Sequence, residues 1–140
     1  MGRIKLIIPE TFRFSTLIDV RITDLNYGAH LGNDALLSIV HEARVRFLNS
    51  MGYTEFDIEG VSIIMSDAVI IYKSPAYYKD RLKIEVSAGE FSRKSCDFFY
   101  RLTKGENSIV ALCKTGIVFY NYQLKKPIPV PANFLKQFEQ

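Results

Sequence analysis

Apolar residues between positions 33 and 50 recur at helical spacing. Leu36, Val40, Ala43 and Phe47, flanked by Leu37, Leu48 and Met51, form one stripe, which predicts an amphipathic helix over Asn33–Ser50. Asn33 suits the N-cap, Asp34 puts a negative charge in the first turn, and Gly52 suits the stop. Elsewhere the pattern is that of strands. β-Branched and aromatic residues dominate 11–21, and further strands are expected at 82–90, 95–103 and 109–122. Turns fall near Pro75, Gly89 and the run KGEN at 104–107. Segment 61–72 is nearly all apolar, so both of its faces should be covered. The tail KKPIPVP should resist regular structure, and 132–138 suits a last short helix.

One long helix after the first strand, then a run of antiparallel strands, is an α+β pattern. The simplest packing wraps an antiparallel sheet around one central helix. A single helix cannot cover both faces of 61–72, so a second subunit in a symmetric dimer is expected to bury part of it. No repeat, linker or low-complexity segment divides the chain, and its 140 residues read as one domain.

Composition mainly removes alternatives. The net charge of +3, from 18 Lys+Arg and 15 Asp+Glu, carries no nucleic-acid footprint, though a local basic patch for an anionic ligand fits it. No apolar run approaches the roughly 20 residues of a membrane helix, and the first residues lack a signal-peptide pattern. Cys96 and Cys113 have neither zinc nor redox spacing and read as buried thiols in a reducing cytoplasm. Ser66, Ser74 and Ser95 stand in no nucleophile elbow. Direct attack by water is therefore the preferred chemistry over a serine or cysteine acyl-enzyme.

Four motifs, in order, carry a resemblance. TDLNYGAHLGN, at the strand-to-helix junction, looks like an Asp-x-Asp/Asn-x-x-Gly-x-x-x-Asn junction. HEARVRFLNSMGY is similar to a Glu-x-Ala-Arg helix with an apolar end and Leu-Gly or Met-Gly. YKSPAYYKDRLKIEV matches a Tyr-x-x-Pro-Ala-x-x-x-Asp-x-Leu strand pair, and SRKSCDFFYRL looks like an Arg-Lys-Ser strand start. Over most of its length the chain thus resembles the hotdog-fold thioesterases, in particular the group of 4-hydroxybenzoyl-CoA thioesterase and the Tol-Pal-associated acyl-CoA thioesterase. The resemblance implies a hotdog fold and hydrolysis of acyl thioesters of coenzyme A or acyl carrier protein. It implies no metal, and no cofactor beyond the coenzyme A of the substrate. It also implies a pocket shared across a homodimer, with a homotetramer of two dimers left open.

In such a pocket the amides at a helix start can polarise the thioester carbonyl, while a carboxylate activates water. In benzoyl-type enzymes that carboxylate is the second acid of an Asp-x-Asp pair, which here is Asn26. The plant acyl-ACP thioesterase stretch Asp-Leu-Asp-x-Asn-x-His-x-x-Asn lines up Asn26 with its second Asp, Gly28 with its first Asn, and His30 with its His. An amide is no base near neutral pH, but it can hold a water or a carbonyl oxygen. The carboxylate is therefore expected from Asp24, Asp34 or Asp67.

Each candidate has a plainer reading beside the catalytic one. Asp24 is a base, an orienter of His30, or a turn residue bonding the loop's own N–H groups. His30 is a general base, a donor to the thioester oxygen, or a packing residue of the loop. Asn33 and Asp34 read first as caps. Gly28 and Gly32 let the backbone approach a ligand, take positive φ, or serve an ordinary turn. Asp67, in VSIIMSDAVIIY, must be paired or functional. It completes the site across the interface or pairs with a helix base such as Arg44. Arg93 and Lys94 open a strand and suit the phosphates of coenzyme A, or an exposed turn. Glu42 and Arg46 are expected to pair along the helix, with His41 solvated. A second function fits the same residues: a non-hydrolytic acyl-thioester binding module, supported by Asn26 where a carboxylate is expected. A hotdog dehydratase fits less well, because adjacent His41 and Glu42 do not reproduce its helix pattern.

Overall fold

The computed structural model describes residues 2–139. The long helix, α1, covers Asn33–Ser50, the bounds that its apolar spacing predicts. Around it runs an antiparallel sheet of β1 (Phe14–Asp19), β2 (Ser62–Tyr72), β3 (Arg81–Gly89), β4 (Ser95–Lys104) and β5 (Ser108–Asn121), in the order β1-β3-β4-β5-β2. One sheet packed on one long helix is the hotdog arrangement expected from the sequence. The core between the two layers is mostly aliphatic and holds a cluster of aromatic side chains. Phe47 of α1 meets Phe98 edge-on at 5.4 Å, and Phe134 of the short C-terminal helix α2 (Ala132–Lys136) packs on Phe98 and Phe119.

Several local expectations are corrected. β1 begins at Phe14 rather than at residue 11, because Phe12 instead lies beneath the Arg101 guanidinium at 4.9 Å. The tail forms a two-residue strand, β6 (Lys126–Pro127), against the end of β5. Proline is tolerated in so short an outer strand because it need not donate to a neighbour. α2 ends at Lys136, not 138.

The cap of α1 is Gly32, not Asn33. The Gly32 carbonyl accepts the first helical bond from Leu36 N–H at 3.0 Å, so Asn33 already lies in the first turn. Leu37 leaves the buried stripe and is 42% exposed, because its side of α1 looks toward the uncovered strand β2. Ile39 and Arg44 are buried instead.

The two outer strands differ. On β1, Arg46 donates to the Leu17 carbonyl and the Thr16 hydroxyl, at 3.0 and 2.9 Å, while also holding Glu42 as expected. β2 ends the sheet, and its register slips between Met65 and Asp67, a bulge at Ser66. Residues 65–68 are exposed in the single chain. Within one chain the cover expected for this strand is thus lacking at 65–68, whereas Ile63 is buried.

Candidate active site

The junction folds as a small closed loop before α1. One 3₁₀ turn, Ile22–Asp24, precedes it, and Leu25 bridges to Leu31. Asn26 N–H donates to the His30 carbonyl at 2.9 Å, and the Asn26 side-chain oxygen accepts from Gly28 N–H at 2.8 Å. Two backbone ties anchor the loop. Gly32 N–H donates to the Asp24 carbonyl at 3.0 Å, and Leu31 N–H donates at 2.8 Å to the carbonyl of Ala76, in the connection from β2 to β3. The amides of Asn33, Asp34 and Ala35 meet no acceptor among the described residues. Open N–H groups at a helix start carry partial positive charge and suit a developing oxyanion.

Beside these amides lies an open cleft of about 290 Å³, mostly apolar. His30, Leu31 and Asn33 line one side, Leu36 and Val110 line it from the core, and Tyr72 to Ala76 form the opposite wall. His30 is half-buried, with Nδ1 3.4 Å from the Leu31 carbonyl. That contact is long, but it favours the proton on Nδ1 and leaves Nε2 as an acceptor.

The glycines act by close approach rather than by positive φ. A Cβ on Gly28 would lie 3.2 Å from both Asn26 Oδ1 and His30 Nε2, and one on Gly32 would lie 2.9 Å from Asp34 Oδ1. The left-handed residue of the loop is Ala29, at φ 64°. Gly28→Ala is expected to push the imidazole aside and lower thioester turnover about tenfold, roughly 1.4 kcal/mol of barrier. A melting curve run beside the rate assay checks that the fold is unchanged.

The three carboxylates fall in different places. Asp24 is 4% exposed and turned from the cleft. Its oxygens accept from Arg21 N–H at 2.8 Å and from the Arg21 guanidinium at 3.2 and 3.3 Å, which caps the 3₁₀ turn. Asp34 stands exposed in the first turn, folded back over Gly32.

Asp67 is in register with Gly116 and takes Lys114 Nζ on both oxygens, at 2.9 and 3.0 Å. Lys114 and Gly116 alternate with Cys113, Thr115 and Ile117, which are buried. Thr115 reaches toward α1 through Tyr100 and Arg44. Asp67 therefore lies with Lys114 on the sheet face away from α1. The Lys114 hydrogen bond holds its carboxyl below the usual range. The expected pairing with Arg44 is corrected: Arg44 binds Glu55 at 2.8 Å and Tyr100 at 3.3 Å. His41, although exposed, is held by the other oxygen of Glu55 at 2.7 Å.

Arg93 and Lys94 are exposed, and their carbonyls accept from Val130 and Phe119 N–H groups. They sit at the far end of the sheet. Ser95 pairs with Val118, whereas the cleft meets β5 at Val110, eight residues or about 27 Å along a strand. Tyr72, Lys73 and Val110 line the cleft without having been singled out from the sequence. The signal for the first two was the Tyr-x-x-Pro-Ala motif, which contains the wall of the cleft.

Among the described residues no cluster of His, Cys, Asp and Glu could hold a metal ion, and no helix is long and apolar enough to cross a membrane. The thiols of Cys96 and Cys113 are buried, and burial pushes both up, Cys113 to about 12. Neither is a ready nucleophile.

The comparisons with known proteins agree with this architecture. Solved structures with the same fold include a 1,4-dihydroxy-2-naphthoyl-CoA thioesterase from Synechocystis, 20% identical, with 88% of this chain and 93% of that one covered at a TM-score of 0.79. A DHNA-CoA thioesterase from Staphylococcus aureus is 18% identical over 88% and 84% of the two chains, at a TM-score of 0.76. A gentisyl-coenzyme A thioesterase is also 18% identical, over 87% and 99%, at 0.77. None of the curated proteins matches at a significant level. The family pattern of the thioesterase-like superfamily matches residues 20–138. The chain belongs to the thioesterase-like superfamily.

Proposed function

We propose that the protein hydrolyses acyl thioesters, with coenzyme A as the carrier of the acyl group and His30 as general base. The observation that carries this reading is the open row of amides at Asn33–Ala35 beside an apolar cleft that also holds His30. The thioester carbonyl oxygen takes the amides, and the acyl group takes the cleft. Water held by Asn26 and His30 attacks the carbonyl carbon and gives a proton to Nε2. The tetrahedral oxyanion collapses, the C–S bond breaks, and the imidazolium returns the proton to the leaving thiolate. The products are a carboxylic acid and a free thiol. The reaction as assigned needs neither metal nor cofactor, and the two thiols suit a reducing cytoplasm.

His30 takes the role of base because Asp24 is committed to Arg21 and Asp67 to Lys114, on the other face of the sheet. Asp34 remains the carboxylate nearest the amides. We further propose a homodimer through β2, since its bulged, exposed segment 65–68 is the uncovered end of the sheet. In that pair, strand residues of the partner would flank the cleft, and a dimer of dimers is compatible with it.

A panel of acyl-CoA thioesters, short to long and aromatic, assayed by thiol release tests the reading. Asp24→Asn and Asp67→Asn are expected to keep kcat within about threefold of wild type, since neither carboxylate reaches the reacting atoms. Loss of turnover in either would return the base to that residue. One observation favours a second reading, an acyl-thioester binding module. Asn26 stands where a carboxylate is expected, and its oxygen already accepts from Gly28 N–H. Tight binding of acyl-CoA with no thiol release from any substrate would establish it.

A further inference from the structure

The core-side end of the cleft owes its shape to an irregularity in β5. Leu102 of β4 pairs with Ala111 and Thr103 pairs with Ile109, so Val110 is the extra residue of a bulge. A regular strand sends successive side chains to opposite faces. Here Val110 and Ala111 are both buried, at 2% and 0% exposure, and Val110 lines the cleft. We propose that Val110, turned inward by this bulge, is the end stop of the acyl site and restricts the protein to short acyl groups; the inference rests on the acyl-thioester reading above.

The bulge is pinned to the cleft wall. The Val110 carbonyl accepts from the N–H groups of Lys73 and Ser74, at 2.9 and 3.2 Å, and the Ser74 hydroxyl donates to the Ile109 carbonyl at 2.7 Å. The carbonyl that the bulge takes out of the β4 ladder is thus satisfied by the chain leaving β2. The facing wall is tied across by Leu31 N–H to the Ala76 carbonyl at 2.8 Å, which resists spreading of the cleft. Valine branches at Cβ and is stiff at χ1, so it does not swing aside as a methionine would. The amides proposed to take the carbonyl oxygen belong to α1, and Val110 belongs to the sheet. An acyl chain that starts at Asn33–Ala35 and runs inward meets Val110 and Leu36 within a cleft of about 290 Å³, at the low end for ligand pockets. Both residues are part of the packed core, where close packing leaves no room for further methylenes.

The test reads chain length rather than rate alone. Thiol release from straight-chain acyl-CoA thioesters, acetyl to palmitoyl, is measured for wild type, Val110→Ala and Val110→Ile. Ile117→Val, at a fully buried position of β5 that does not line the cleft, controls for lost stability. S-alkyl-coenzyme A thioethers of the same lengths, which cannot be hydrolysed, are titrated calorimetrically into each protein, and melting curves are run beside them. Wild type is expected to favour short chains, since one methylene too many in an apolar pocket lowers kcat/KM by about 10- to 200-fold. Val110→Ala should lengthen the longest well-accepted chain by about two carbons and raise kcat/KM for that chain about tenfold, while Val110→Ile should shorten it by about one. Ile117→Val should lower the melting temperature and leave the length profile in place. Opposite shifts from a smaller and a larger side chain do not arise from lost stability. The proposal is overturned if wild type turns over palmitoyl-CoA as well as butyryl-CoA, if neither Val110 variant moves the profile, if Ile117→Val moves it equally, or if wild type neither hydrolyses nor binds any chain. Thioether affinities that shift in the expected pattern, with no thiol release from any thioester, would sink the hydrolase reading and leave the Val110 stop standing. Hydrolysis with an unmoved profile would do the reverse.

Discussion

On the proposed function, His30→Ala is expected to lower kcat for acyl-CoA hydrolysis by about 10²- to 10⁴-fold, the usual worth of a positioned general base. The expectation follows from how few groups can take a proton beside the open amides. Asn26 is an amide whose oxygen already accepts from Gly28 N–H. Both oxygens of Asp24 accept from Arg21. His30 borders the cleft directly, and its Nδ1 contact to the Leu31 carbonyl presents Nε2 as the acceptor. The substitution removes a half-buried side chain that makes no strong bond, so the melting temperature should move little. Thiol release gives the rate, and KM for the same substrate should change far less than kcat, because the lost interaction belongs to the transition state. An alanine variant within threefold of wild type, beside an Asp34→Asn variant that loses turnover, would transfer the base to Asp34.

Arg44→Ala costs about 3 kcal/mol of stability and lowers the melting temperature by roughly 10 °C. Arg44 is buried in α1, where it binds Glu55 at 2.8 Å and the Tyr100 hydroxyl at 3.3 Å. Tyr100 in turn shares a 2.7 Å hydrogen bond with Thr115. Burial pushes the Tyr100 hydroxyl up to about 12 despite the guanidinium beside it. Removing Arg44 leaves Glu55 beside the core with only His41, and leaves Tyr100 one partner short. The figure sits at the low end for a broken buried pair because the Glu55 side chain keeps 19% exposure.

The same pair gives stability a pH dependence. Burial raises the Glu55 carboxyl, but hydrogen bonds from Arg44 and His41 outweigh it and hold the group below its ordinary 4.5. A depressed folded pKa stabilises above the unfolded value and loses that contribution as pH falls through the folded one. Wild type should therefore lose stability below about pH 4.5, and Arg44→Ala should show a shallower acid limb in denaturant titrations. An acid limb of unchanged slope would mean that other carboxylates govern the acid response.

The helix and the succession of elements along the chain were legible because they rest on local periodicity, whereas the order of strands within the sheet was not read from it. Asn33–Ser50 needs only the spacing of its own apolar residues. What the sequence did not disclose depends on which residues meet across strands or layers. Asp67 meets Lys114 because β2 and β5 pair in a register with a bulge, and no local pattern announces that register. Leu37 fits the helical stripe as well as Ile39 does, and only the uncovered end of the sheet decides which is buried. Arg44 reads as a partner for Asp67 until Tyr100 and Glu55 are brought to it. At the junction, the residues were visible as a group, but the commitment of Asp24 to Arg21 and the closing of the loop on Ala76 are facts of three dimensions.

The two borders of the sheet have a further consequence for how copies of the chain can add to one another. Arg46 occupies the Leu17 carbonyl of β1, so that border is already engaged by a charged side chain. β2 is free, but the slip at Ser66 divides it into two stretches that no single straight neighbour matches along their full length. In the homodimer proposed above, pairing through β2 would leave a further copy only the β1 border, where Arg46 already holds the Leu17 carbonyl.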